Sequence, residues 1–150
     1  MKTITVSNGD IQLNNGKIQF STGSQKLIED LTRWLEEPLG TGYTTPGFGS
    51  LLWNSIGQGQ TIASTSIVQS EISRILQLYQ SQQIYSLQQS QNSSQLSNWN
   101  KSEIIQNITS INTVVNQTSI VATVAIQTLQ DSSITLNFSI DQNGVSIQNG

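Results

Sequence analysis

Residues 134 to 140 read Ile-Thr-Leu-Asn-Phe-Ser-Ile. The large apolar side chains Ile134, Leu136, Phe138 and Ile140 alternate without a break with Thr135, Asn137 and Ser139. In a β-strand successive side chains point to opposite faces, so this run predicts a strand with one buried and one wet face. Such a strand cannot bury its apolar side alone and requires neighbours and a second layer. Two further strand candidates precede it, at 108 to 115 and 119 to 129, rich in Ile, Val and Thr. Gln130 to Ser132 supplies the turn between the second and third. Residues 141 to 144, Asp-Gln-Asn-Gly, turn again into a short tail carrying Val145 and Ile147. The last third of the chain therefore reads as an antiparallel β-meander.

The second layer comes from the middle of the chain. Leu27, Ile28, Leu31, Trp34 and Leu35 fall on one helical stripe, with Glu29, Asp30, Arg33 and Glu36 on the other side. Ser24 is the expected N-cap, and Pro38 and Gly40 end the helix. A second helix is expected from Ser64 or Thr65. Its stripe is Val68, Ile72, Ile75, Leu76 and Tyr79, with Glu71 and Arg74 on a polar face and a continuation through Ile84 and Leu87. Residues 88 to 100 are a low-complexity Gln/Ser/Asn segment, read as a polar loop or frayed helix end, with Trp99 anchoring its far end. Residues 101 to 105 suit a single helical turn. At the amino end, Asn15-Gly16 between Ile11/Leu13 and Ile18/Phe20 predicts a tight hairpin. The fold class is α+β: an antiparallel sheet, made of the C-terminal meander and the N-terminal strands, packed against two or three helices. A length of 150 residues suits one domain spanning 1–150.

Between the helices, residues 43 to 58 combine Pro46, Gly47, Gly49, Phe48, Leu51, Leu52, Trp53 and Ile56. Those side chains are too apolar to be left in water, so the loop is expected to fold back and plug the core between the helices. The competing reading is a ligand site. A phosphate-binding loop is disfavoured because no Gly-Lys-Ser/Thr follows. A plug implies that Phe48→Ala or Trp53→Ala lowers stability by roughly 3–5 kcal/mol where the ring is fully buried.

Chemistry is sparse. The chain has no Cys and no His, which removes thiolates and the commonest general base and metal ligand. Only 10% of residues are charged, the net charge is −3, and the six Lys and Arg are scattered, so nucleic acid is not an expected partner. No apolar run approaches the length of a membrane helix and the first residues do not resemble a signal peptide, so a cytoplasmic site of synthesis is expected. The carboxylates Asp10, Glu29, Asp30, Glu36, Glu37, Glu71, Glu103, Asp131 and Asp141 form no pair that the sequence places across a cleft. A Lys101/Ser102 pair means little in so Ser-rich a chain, and the sequons at Asn107, Asn116 and Asn137 are expected by chance. No cofactor, metal or catalytic group is expected. What remains is surface. An uncharged Thr/Ile-rich edge strand is a template for strand addition by a partner chain, unless the N-terminal hairpin covers it.

The order of "NGKIQFSTGSQKLIEDLTRWLEEPLG", then "YTTPGFGSLLWNSIG", a second helix and a meander resembles the baseplate sheath-initiator proteins of contractile phage tails, once labelled lysozyme-like. It is most similar to the branch from Gram-positive and cyanobacterial phages and defective prophages. The family's proline-containing loop ending in an aromatic residue and Gly is matched by Pro46, Phe48, Gly49 and Leu52, followed by Ile56-Gly57. The Glu-Pro-Arg motif of some members is replaced by "YQSQQ" at 79 to 83, so its wedge contact does not carry over. The resemblance implies a structural, non-enzymatic virion protein of the baseplate, assembled in the host cytoplasm as six copies ringing the tail tube. Its partners would be the tail sheath protein, baseplate wedge proteins and tube or hub proteins. The sheath contact would use edge strands carrying Ile120, Thr123, Gln127, Thr135, Asn137 and Ser139, with Pro46, Phe48, Gly49, Leu52 and Trp53 forming the structural loop. The rival readings are a peptidoglycan hydrolase of the tail and another baseplate or tube-end module.

Overall fold

A computed structural model of the protein describes residues 2–7, 10–57, 61–92 and 99–149. Six two-residue strands come first: β1 Thr3–Ile4, β2 Val6–Ser7, β3 Asp10–Ile11, β4 Leu13–Asn14, β5 Lys17–Ile18 and β6 Phe20–Ser21. They are followed by helices α1 Ser24–Glu36 and α2 Ile62–Asn92, and then by β7 Ile105–Val115, β8 Ile120–Thr128, β9 Ser133–Asp141 and β10 Gly144–Asn149. The last four strands form one antiparallel sheet in the order β10-β9-β8-β7. The fold is α+β, as the segregation of strand and helix patterns predicts.

The core is built by the two periodicities. From β8 come Ile120, Ala122, Val124 and Ile126; from β9 come Ile134, Leu136, Phe138 and Ile140, all buried. Their register pairs Ile120 with Ile140, Ala122 with Phe138, Val124 with Leu136 and Ile126 with Ile134, so one face of the sheet is continuously apolar. Helix α1 covers it with Leu27, Leu31, Trp34 and Leu35, and α2 with Val68, Ile72, Ile75, Leu76 and Tyr79. Burying each of the larger side chains contributes about 1.5–3 kcal/mol.

The amino end departs from expectation. Asn15 (φ 50°) and Gly16 (φ 73°) make the expected hairpin turn between β4 and β5. The N-terminal strands do not join the meander, however. They pair only among themselves, β1 with β6, β2 with β3 and β4 with β5. The reason is a sequence repeat: residues 3–9, 10–16 and 17–23 each read x-Ile-Thr/Gln-apolar-Ser/Asn-Asn/Thr-Gly. The repeat's third residues close a ring of main-chain bonds: Thr5 N–H donates to Gln19, Gln12 to Thr5 and Gln19 to Gln12, at 2.9–3.0 Å. A pseudo-threefold knot results, saturated at its centre and leaving Ile11, Leu13, Ile18 and Phe20 exposed. The Arg33 guanidinium donates to the Ile4 carbonyl and the Ser21 hydroxyl to Glu29, tying the knot to α1.

Helix boundaries also shift for local reasons. The N-cap of α1 is Gly23, not Ser24; its backbone has φ 65°, and its N–H donates to the buried Glu103 carboxylate at 2.8 Å. A side chain there would meet Ser102 Oγ at 2.9 Å, which leaves room only for glycine. Helix α2 starts earlier than expected because Thr61 caps it, with Ser64 N–H donating to Thr61 Oγ1 and Thr61 N–H to Ser64 Oγ. It runs on to Asn92, but Ile84 and Tyr85 are 48% and 63% exposed, so the apolar stripe is spent beyond Tyr79. Residues 88–92 of the polar segment are helical, 93–98 lie outside the described residues, and Trp99 is half-buried. A short 3-10 turn follows at Lys101–Glu103.

The loop after α1 folds back on the helix end. Ser50 N–H donates to the Glu37 carbonyl, Leu39 N–H to the Ser50 carbonyl, and Ser50 Oγ to the Leu35 carbonyl. Gly49 (φ 107°) lies against that main chain; a Cβ there would be 2.6 Å from the Glu37 carbonyl oxygen. The loop residue that enters the core is Leu52, 1% exposed. Phe48 is half-buried, its ring 4.5 Å from that of Trp34 and tilted by 52°. Pro46 is exposed, and Trp53 is 38% exposed, lying on the surface with its indole N–H donating to the Glu36 carbonyl. Full burial of Phe48 and Trp53, the condition for a 3–5 kcal/mol loss, is therefore not met. Glu71, expected on a polar face, is instead 8% exposed and accepts the Leu51 N–H at 2.7 Å. Its second role is a two-pronged pair with Arg74, at 2.7 and 2.8 Å.

Two outcomes follow from these contacts. Leu52→Ala is expected to lower stability by about 2–5 kcal/mol in a denaturant titration. Trp53→Ala should lose only about 1 kcal/mol, the scale of one hydrogen bond and a half-covered ring. The opposite ranking would refute this account of the loop. Glu71 is pushed up by burial but more strongly held down by its bonds from Arg74 and Leu51, so its net shift is below the usual carboxylate range. A depressed folded pKa contributes stability above the unfolded value, lost as pH falls through the folded one. The stability gap between the wild-type chain and Glu71→Gln should therefore be open at neutral pH and narrow below about pH 4. A gap that stays constant between pH 7 and pH 3 contradicts this.

Candidate functional site

A sheet ends in two edge strands, and each edge presents main-chain groups that another chain can pair with. Here the edges are β7 and β10. They are treated differently by the rest of the molecule.

Along β7 the covering element is α2, not the N-terminal hairpin. Gln69 donates to the Ile111 carbonyl at 3.1 Å, and Gln80 to the carbonyls of Ile105 and Gln106 at 3.3 and 3.2 Å. Gln83, 4% exposed, accepts the Ile105 N–H at 3.0 Å through Oε1 and donates to the Glu103 carbonyl through Nε2. A primary amide carries both a donor and an acceptor, so Gln83 reproduces the pair of bonds a neighbouring strand would make. Later helix residues meet earlier strand residues, so α2 runs antiparallel to β7. The signal was in the sequence. At 100° per residue, positions 69, 80 and 83 fall within a sector of about 60° bordering the apolar stripe.

Edge β10 has no helix laid along it in this way. In its pairing with β9, Val145 lies opposite Ile140 and Ile147 opposite Phe138. The Ile147 N–H points away from β9, on the side of the Glu36 carboxylate. Antiparallel pairs alternate, so Val145 and Asn149 share this outward orientation while Ser146 and Gln148 bond to β9. Glu36 is half-buried at the end of α1. Desolvation pushes its pKa up, an effect only partly offset by the Ile147 N–H. The Trp53 ring flanks the start of the strand; a Cβ on Gly144 would lie 3.1 Å from it.

The six residues expected on edge strands are not there. Ile120, Thr123 and Gln127 belong to β8, and Thr135, Asn137 and Ser139 to β9, the two inner strands. Their main-chain groups are already used within the sheet. Ile120 is 2% exposed and points into the core. The other five share the outer face, where Thr123 Oγ1 donates to Asn137 Oδ1 at 2.9 Å. The misplacement came from reading the final tail as a short addition when it is a full edge strand. The outer face has no Lys, Arg or Glu; beyond Glu103 the only charged residues are Asp131 and Asp141.

The best-buried polar groups serve the fold. Asp30 accepts from Lys26 and from the Tyr79 hydroxyl, the latter at 2.9 Å. Burial, and then the negative charge of Asp30, push the Tyr79 hydroxyl far above its usual range. Glu103 takes the Gly23 N–H, and Glu71 the Leu51 N–H. A shallow depression of about 400 Å³ beside Glu71 is lined by Leu51, Ser55, Ser66, Ile67, Ser70 and Arg74. Among the described residues no cluster of three acidic side chains is placed to hold a metal, and no helix is long and apolar enough to cross a membrane.

No family model matches this chain, and no characterised protein or solved structure matches it either.

Proposed function

We propose that this protein is a structural component of a contractile-tail baseplate that starts sheath assembly by sheet extension. On this reading the first ring of sheath subunits adds extended segments to the C-terminal meander, and several copies, six in the simplest ring, surround the tail tube. The observation that carries the proposal is the four-stranded meander with β10 at its margin and no basic residue after Lys101. Edge strands that must stay single are usually guarded by Lys, Pro or a bulge, and β10 contains neither Lys nor Pro. Strand addition needs no catalytic group: main-chain bonds supply attachment and alternate side chains supply register. The resemblance of 10 to 140 to sheath initiators, resting on the Pro46–Phe48–Gly49 loop between two helices and a meander, supplies the identity of the partner.

The direct test is to locate the protein by electron microscopy in a particle assembled with the sheath and tube proteins of the same genome. The expected outcome is density at the baseplate, against the first sheath ring. Density in a fibre or tube tip would overturn the proposal, as would clearing of cell walls by the purified protein.

A further inference from the structure

We infer that the amino-terminal knot is a self-association surface: two copies of this chain pair face to face through it, about a two-fold axis that sets Asp10 of each against Lys17 of the other. The inference stands apart from the baseplate reading. The apolar residues of the three repeats form a closed circuit. Ile4 lies directly opposite Phe20, Val6 opposite Ile11, and Leu13 opposite Ile18. Residues directly opposite in an antiparallel pair project to the same side, and so do residues two apart along a strand. Ile4, Val6, Ile11, Leu13, Ile18 and Phe20 therefore share one face of the knot. That face is turned to water, with Leu13 62% and Phe20 57% exposed. The knot is fastened to α1 from its other side, where Ser21, next to Phe20 in the strand, is buried and donates to Glu29. Apolar side out and polar side in is the reverse of ordinary patterning, and it calls for a cover.

The cover is a second copy, on grounds of area and charge. The main chain at the centre of the knot is used in the ring at Thr5, Gln12 and Gln19, so attachment must come from side chains. Ile4, Ile11, Leu13, Ile18 and Phe20 together expose on the order of 400 Å² of apolar surface, a patch of the size that marks a contact site. Two such faces would bury about 800 Å², short of the ~1,200 Å² of stable complexes, so the pair is reversible and concentration-dependent. Charge makes the face complementary to itself. Lys2, Asp10 and Lys17 are the charged residues between 2 and 23. Asp10 and Lys17 hold equivalent places at the rim: each opens a repeat and is exposed, Asp10 opposite Ser7 and Lys17 opposite Asn14. A face-to-face pair that keeps the repeats in register has three possible two-fold axes, one through each repeat. Through the first repeat, Asp10 of each copy meets the partner's Lys17. Through the second, Asp10 meets Asp10. Through the third, Lys17 meets Lys17, and Asp10 reaches only Lys2, which precedes β1 and has no strand to hold it. The first axis also brings the two Lys2 side chains together, but they are exposed and long enough to turn away. Like charges held directly opposite destabilise, so the first arrangement is selected.

The test is sedimentation equilibrium of the full chain from about 10 μM to about 1 mM at low salt, where charge pairs are least screened. The wild-type chain should dimerise reversibly across that range. Leu13→Asp and Phe20→Asp should each weaken the dimer by about tenfold or more. Both side chains are exposed in the single copy, and an unchanged melting temperature at low concentration shows that the rest of the chain is intact. Asp10→Lys and Lys17→Asp should each weaken pairing when alone. An equimolar mixture of those two should form a mixed dimer at least about threefold tighter than either forms with itself, a rescue that damage to the fold cannot produce. A wild-type chain that stays monomeric throughout overturns the inference. Undiminished pairing in Leu13→Asp or Phe20→Asp overturns the face, and a mixture no tighter than its components overturns the arrangement of Asp10 against Lys17. Each of these failures leaves the baseplate reading standing, since location in the particle tests that reading separately.

Discussion

Burial of one face of the meander beneath α1 and α2 is the interaction on which everything else depends. Val124, Leu136 and Ala122 of the sheet, Leu31 and Leu35 of α1, and Ile72, Ile75 and Leu76 of α2 are all fully buried in one cluster. Only 35% of the chain is apolar, and the apolar side chains that are buried gather in one cluster at this layer boundary. The loop between the helices contributes Leu52 to the same cluster, and Gly49 allows it to turn tightly enough against Glu37 and Pro38 to reach. Remove that layer and neither edge of the sheet has a defined neighbour.

A chain so rich in Gln, Ser and Asn looks featureless by composition, yet its polar side chains do specific work on the main chain. Gln69, Gln80 and Gln83 bond β7; Glu71 holds Leu51 and Glu103 holds Gly23. Neutral amides can satisfy either an N–H or a C=O without the desolvation penalty of a buried charge, so they serve where the contact is permanent. Carboxylates can accept only, and where they are used the target is an isolated N–H. Buried polar groups that are fully paired fix position more sharply than apolar packing alone.

Much of this was legible from residues. The alternation at 134 to 140 fixed a strand, the stripe from Leu27 to Leu35 a helix, and Asn15-Gly16 a hairpin, because each is a local pattern with one backbone solution. What was not legible depended on distant neighbours. Residues 145 and 147 looked like a tail because a strand at the margin need show only one buried face over a few positions. Thr123, Thr135 and Asn137 therefore seemed nearer the edge than they are. Trp53 reads as core by type, but its position one residue after Leu52 turns it outward. Ser24 would cap α1 in isolation; the approach of the Ser102–Glu103 turn gives that place to Gly23. The seven-residue repeat at 3 to 23 was visible in the letters, and its consequence is a closed ring of main-chain bonds, which withdraws those strands from the main sheet.

The asymmetry of the two margins has a consequence for assembly. A sheet open at both sides can stack on copies of itself without limit, since each addition exposes a fresh edge. A sheet bonded along part of β7 by its own helix is left with β10 as its freer side. The glutamines of α2 make that difference, by bonding the Ile105–Gln106 end of β7 and the Ile111 carbonyl.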